Sequence, residues 1–120
     1  MNRALLLIDH GSREPEAAVQ LARLATELRK RRPDLAVYVA HLELSPPTIA
    51  EAIASCSLDG VTDLIVHPFF LAPGRHSAHD LPHLVEAAVA AHPGLRVRMT
   101  PHTGASAGIA DLILATLPPD

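Results

Sequence analysis

Aromatic residues are almost missing: tryptophan is absent, and Tyr38, Phe69 and Phe70 are the only Phe, Tyr or Trp residues among 120. That leaves no platform on which nucleic-acid bases would stack. Positive charge is no more abundant, with ten Lys and Arg against thirteen Asp and Glu, a net charge of -3 with histidines neutral. The electrostatic footprint of a nucleic-acid binder is therefore lacking, and no such partner is expected. Cys56 is the single cysteine. It excludes an intrachain disulfide and fits a reducing compartment. Long apolar runs are missing too. The opening run, Ala4 to Ile8, ends in Asp9 and is too short and wrongly flanked for a secretory signal. No run approaches membrane-spanning length, so a cytoplasmic protein without membrane attachment is expected. Neither G-x-x-x-x-G-K-S/T nor G-x-G-x-x-G occurs, and ATP-driven chemistry is not expected.

What is present is a strongly apolar chain, 48% hydrophobic with mean hydropathy +0.20, long enough for one cored domain over residues 1–120. Ala4 to Ile8 reads as a parallel strand buried on both faces, because it is unbroken, short and followed by turn formers. Glu14-Pro15-Glu16 opens a helix with acids at its positive end, and Ala17, Leu21, Leu24 or Ala25, and Leu28 keep a 3.6-residue rhythm. Arg29 to Arg32 closes it before Pro33, as cations at a helix C-terminus rather than a binding patch. Leu35 to Leu42 predicts a second strand. Thr48-Ile-Ala-Glu51 predicts a capping box for a second helix, with Ile49, Ile53 and Cys56 on one buried face. Val61 to His67 predicts strand three. A long loop from Pro68 to Asp80 then leads to a third helix, with Asp80 as N-cap, Pro82 in the first turn, and Leu81, Leu84 or Val85, and Ala88 buried. Leu95 to Met99 alternates cleanly, placing Arg96 and Arg98 on one exposed face. Ser106 to Leu117 predicts a last helix packed through Ile109, Leu112, Ile113 and Leu117.

The order βαβαβαβα implies an α/β fold: a four-stranded parallel sheet with right-handed crossovers and helices on both faces. By analogy with flavodoxin-like sheets the expected strand order is 2-1-3-4. All βα loops then open on one edge, where such sheets place ligands. His10, Glu43 and His76 lie in three of these loops.

Two imidazoles and a carboxylate make a partly open set for a divalent transition metal such as cobalt, nickel, iron or zinc. Each residue also has a plainer reading. His10 at a strand end can be a hydrogen-bonded structural residue, and Glu43 can be a helix-dipole partner instead of a base. Around His10, Gly11 permits close backbone approach, Ser12 can cap the coming helix, and Arg13 is a planar donor for carboxylate or phosphate. His76, His79 and His83 have spacings that allow a rival cluster at a helix start. His41 and His67, late in strands, read as structural, while His92 and His102 adjoin turns. A strand running into His-Gly is also similar to histidine phosphatases, which use Arg-His-Gly. Here Asp9 replaces that arginine and would repel a phosphate. Nothing in composition explains a charge at Asp9.

Taken together, His10-Gly-Ser-Arg13, Leu42-Glu-Leu44 followed by Pro46 and Pro47, and Pro68-Phe-Phe-Leu-Ala-Pro-Gly-Arg-His76 with Asp80 and Pro82 resemble the CbiX/SirB family. These are small class II chelatases acting on sirohydrochlorin. The resemblance spans roughly residues 4 to 100 and loosens at Pro101-His-Thr-Gly104. It implies a flavodoxin-like half of the class II chelatase fold, with a metal site on His10, His76 and Glu43. It further implies ATP-independent insertion of cobalt, iron or nickel into sirohydrochlorin, a lyase step in tetrapyrrole (cobalamin or sirohaem-type) biosynthesis. The metal is a substrate, and no permanently bound cofactor is implied. Short members are typically homodimers, similar to one half of two-lobed chelatases. Glu43 is the expected proton acceptor or weak third ligand, with a histidine able to share the base role. Ser12, Arg13 and Arg75 are the expected substrate-binding residues, since a polycarboxylate needs local donors on a net-negative chain. The alternative is a non-catalytic metal-binding or metal-delivery protein using the same histidines.

Overall fold

In a computed structural model of the chain, which describes residues 2–72 and 74–120 with the side chains of residues 75–79 excepted, nine elements follow one another. They are β1 (Arg3–Asp9), α1 (Pro15–Arg31), β2 (Ala36–His41), α2 (Ile49–Leu58), β3 (Asp63–Pro68), α3 (Arg75–Val89), β4 (Arg96–Met99), a 3-10 turn (Thr103–Ala105) and α4 (Ile109–Leu114). The four strands are all parallel, in the order β2-β1-β3-β4. The expected topology holds.

The central strand shows why an unbroken apolar run was needed. Ala4, Leu6 and Ile8 of β1 face a core shared with Ile53 and Cys56 of α2 and with Leu81 and Val85 of α3. Leu7 faces the opposite way, onto Leu21 and Ala25 of α1 and Val37 of β2. From Ala4 to Ile8 both faces of β1 pack against apolar side chains, which leaves the polar residues of the strand at its two ends, Arg3 and Asp9. Burial also pushes the Cys56 thiol up to about 12, which suits a core residue and not a reactive one.

The local chemistry of the helices mostly follows the sequence. Thr48 accepts from the Glu51 backbone N–H (3.1 Å), and the Glu51 carboxylate accepts from the Thr48 N–H (2.8 Å), a complete capping box. The basic run closing α1 is paired locally: Arg29 donates to the Val37 carbonyl (2.6 Å), Arg31 meets Glu27 and Arg32 meets Asp34. On the opposite edge strand Arg96 and Arg98 are exposed, Arg98 pairing with Asp63 of β3 at 3.1 Å.

Two expectations fail. Helix α3 starts at Arg75 with Gly74 as N-cap, so Asp80 lies within the helix and Pro82 is inside it, beyond the first turn. The last helix is shorter than expected, and it buries nothing. Leu112, Ile113, Leu114 and Leu117 are 61%, 58%, 61% and 61% exposed. Among the described residues no helix is long and apolar enough to cross a membrane.

Candidate metal-binding and active site

The carboxyl ends of β1 and β2 leave the sheet side by side. The Leu42 N–H donates to the Asp9 carbonyl (2.9 Å) and the Glu43 N–H to the His10 carbonyl (3.2 Å). His10 and Glu43 are thus one backbone hydrogen bond apart, and both are exposed. Gly11 makes the approach feasible. Its φ is +90°, and a Cβ there would stand 1.7 Å from the Glu43 carbonyl oxygen. Behind this junction the Asp9 carboxylate meets His41 Nδ1 at 2.6 Å and accepts the Gly11 N–H at 3.0 Å.

The third strand end is tied to the first. The Phe69 N–H donates to the Ile8 carbonyl at 2.7 Å, and the buried Phe70 ring stacks on the His10 imidazole, centroids 4.1 Å apart and planes 21° from parallel. The turn after β4 then clamps the chain leading to α3. Gly104 N–H donates to the Phe70 carbonyl (2.9 Å), and a Cβ on Gly104 would lie 1.7 Å from the Leu71 carbonyl oxygen. His67 bridges the same turn, Nδ1 to Thr100 and Nε2 to Thr103, each at 2.7 Å. Burial lowers its affinity for a proton, and His102 nearby adds to the effect.

The predicted residues fall as follows. His10 and Glu43 are brought together at one edge. The backbone carries His76 to the same edge, in the first turn of α3, but the side chains of Arg75, His76 and His79 lie outside the described residues. Ser12 does not cap α1: its hydroxyl accepts the Glu14 N–H (3.0 Å), turning the chain just before the helix, whose N-cap is Glu14. Arg13 is exposed beside it, and His83 is exposed on α3. Among the described residues no three His, Cys, Asp or Glu gather closely enough to hold a metal; the His76–His79–His83 grouping lies outside the described residues through its first two members. Leu44, following Glu43, holds a left-handed φ of 75° and keeps its side chain 55% exposed.

Sequence reasoning missed the roles of Phe70 and of the Asp9–His41 pair. The one trace of the latter was Asp9 itself, a charge ending an apolar strand.

A family model described as CbiX matches residues 4–118. The chain belongs to the CbiX family. It is 33% identical over 100 residues to the chloroplastic sirohydrochlorin ferrochelatase of Arabidopsis thaliana, covering 83% of this chain and 44% of that protein. To the sirohydrochlorin cobaltochelatase of Methanococcoides burtonii it is 35% identical over 82 residues, 68% of this chain and 63% of that one. The sirohydrochlorin chelatase SirB from Bacillus subtilis subspecies spizizenii, solved in complex with cobalt, matches with a TM-score of 0.79 at 28% identity. That match covers 96% of this chain and 49% of the Bacillus chain. This CbiX chain therefore spans about half the length of the Arabidopsis and Bacillus proteins and under two thirds of the archaeal one.

Proposed function

We propose that this chain inserts a divalent metal ion, cobalt, iron or nickel, into sirohydrochlorin without consuming ATP. The observation that carries the reading is the junction of His10 and Glu43. Two potential metal ligands leave adjacent parallel strands one backbone hydrogen bond apart, at the sheet edge to which the first turn of α3 brings His76. Membership in CbiX, and relatives named as ferro- and cobaltochelatases, support the substrate.

The chemistry follows from the residue types. Metallation replaces two pyrrole protons by one dication, so charge balances if two protons leave. Imidazoles of His10 and His76 would hold the ion while leaving coordination positions open to the macrocycle nitrogens. Glu43, exposed beside His10, is the proton acceptor we assign, with about 10²- to 10⁴-fold of rate expected from such a base. Arg13 and Arg75 are the donors assigned to the substrate's carboxylates, and Ser12 shapes the turn that presents Arg13. Leu44 and Leu71, 55% and 78% exposed on the loops beside this edge, offer apolar contact to a flat ring.

The functional unit we assign is a homodimer. Four aliphatic side chains around α4 are left in water, and the Bacillus chain carries about as much chain again as this one provides. A second copy of this domain is the partner we assign to those exposed side chains.

The test is an anaerobic absorbance time course of sirohydrochlorin with Co²⁺, Ni²⁺ or Fe²⁺, comparing wild type with His10→Ala, Glu43→Ala and His76→Ala. Acceleration by wild type that collapses in the variants is the expected result, and it ranks the metals. Tight metal binding with no acceleration would replace the enzyme by a metal carrier.

A further inference from the structure

The Asp9–His41 pair stands directly behind the proposed site, yet none of the chemistry above uses it. Asp9 and His41 are the last residues of β1 and β2 and are register partners in the sheet. Their side chains are 16% and 5% exposed, with Oδ1 to Nδ1 at 2.6 Å. A polar pair here must be desolvated, and apolar residues of similar volume would fill the last rung of this sheet without that penalty. Sheet stability alone does not account for it.

What the pair does control is the turn. The oxygen that meets His41 also accepts the Gly11 N–H at 3.0 Å. Gly11 has φ +90° and its Cα abuts the Glu43 carbonyl. A glycine explores more backbone conformations than any other residue, so this turn is held only by what anchors it. Anchors among the described residues include the Asp9 carboxylate on Gly11, the Glu43 N–H on the His10 carbonyl, and Phe70 against the His10 ring. His41 fixes the carboxylate rotamer on which the first anchor depends. We infer that Asp9 and His41 are positioning residues that lock the His10–Gly11 turn against Glu43, setting the separation of metal ligand and base. The inference rests on the function proposed above.

The experiment is a Co²⁺ titration of the whole chain followed by visible absorption, whose ligand-field bands report coordination geometry, on wild type, Asp9→Asn, Asp9→Ala, His41→Asn and His41→Ala. Steady-state kcat and KM for sirohydrochlorin and urea unfolding accompany it. Asparagine at either position keeps the oxygen or nitrogen that makes the contact, whereas alanine removes it. The expected result is a change in the cobalt bands and a roughly 10- to 100-fold loss of Co²⁺ affinity in folded alanine variants. Their kcat falls with KM unchanged, and both asparagine variants recover most of the loss. Folded alanine variants with wild-type cobalt spectra and affinity would overturn the inference, as would asparagine variants as damaged as the alanines. Failure of both alanine variants to fold would overturn it too, because the pair would then be holding the sheet and not the site. A wild type that gives no cobalt bands overturns the proposed metal site itself, an outcome distinct from all of these, and takes the inference with it.

Discussion

At the scale of single residues, Gly11 shows how much of the site hangs on one missing Cβ. Alanine there must take a φ of +90° and place its methyl within 1.7 Å of the Glu43 oxygen. Gly11→Ala is expected to lose about 1–3 kcal/mol of stability in urea unfolding, with Co²⁺ affinity falling in parallel. Unchanged cobalt binding would mean that the His10–Glu43 spacing is not what metal binding needs. His67 sets a pH dependence. Its folded-state affinity for protons is lowered by burial and by His102, so as pH falls the unfolded chain takes up the proton first. Its contribution is therefore complete above the free-imidazole value of about 6.5 and is lost as pH falls below it. Between pH 7 and 5 the wild-type melting temperature should drop more steeply than that of His67→Gln. Equal slopes would remove His67 from the account. Neither residue's partners were legible from sequence. Gly11 could be seen as permissive, but that Glu43 is what approaches it depends on strand register.

At the scale of elements, local chemistry was readable where it is complete within a few residues. The capping box of α2 spans four positions, and the structure reproduces both of its hydrogen bonds. Thr48→Ala is expected to cost about 1 kcal/mol, visible as a lower urea midpoint at unchanged m-value. The start of α3 was misplaced for an equally physical reason. Asp80 before an apolar stripe and Pro82 look like a cap and a first turn, yet the helix begins at Arg75. The missing N–H of Pro82 is tolerated inside the helix, where Leu81 and Val85 on either side of it are buried in the core. Tertiary packing of Leu81 and Val85 outweighs the local preference for a break. The consequence matters to the site, because His76 then sits on a helix turn and not in the middle of a loop.

At the scale of the whole molecule, the anomaly is α4. The chain measures 55 × 33 × 27 Å, elongated for a domain of its length. Leu112, Ile113 and Leu114 of its last helix are 61%, 58% and 61% exposed, an apolar stripe left largely uncovered among the described residues. Hydrophobic rhythm is the same whether the surface that receives it belongs to the same chain or another, so it predicts a packed helix without saying what covers it. If the receiving surface is a second copy, Leu114→Glu with Leu117→Glu should turn a dimer into a folded monomer in sedimentation velocity at micromolar concentration. A wild type already monomeric there would retire the homodimer.

The sequence by itself determined the order of the four strands and four helices, the parallel sheet, the two-faced core, and the sheet edge to which the backbone brings His10, Glu43 and His76. Those features are written in period, turn chemistry and run length, which act over a few residues. Only the tertiary structure decided that Asp9 meets His41 across 32 positions, that Phe70 supports the His10 ring, that Gly104 clamps Leu71, and that α4 stays bare. Each is a contact between segments far apart in the chain. Such contacts exist only once the strands are in register, and no local pattern encodes which distant side chain will be there.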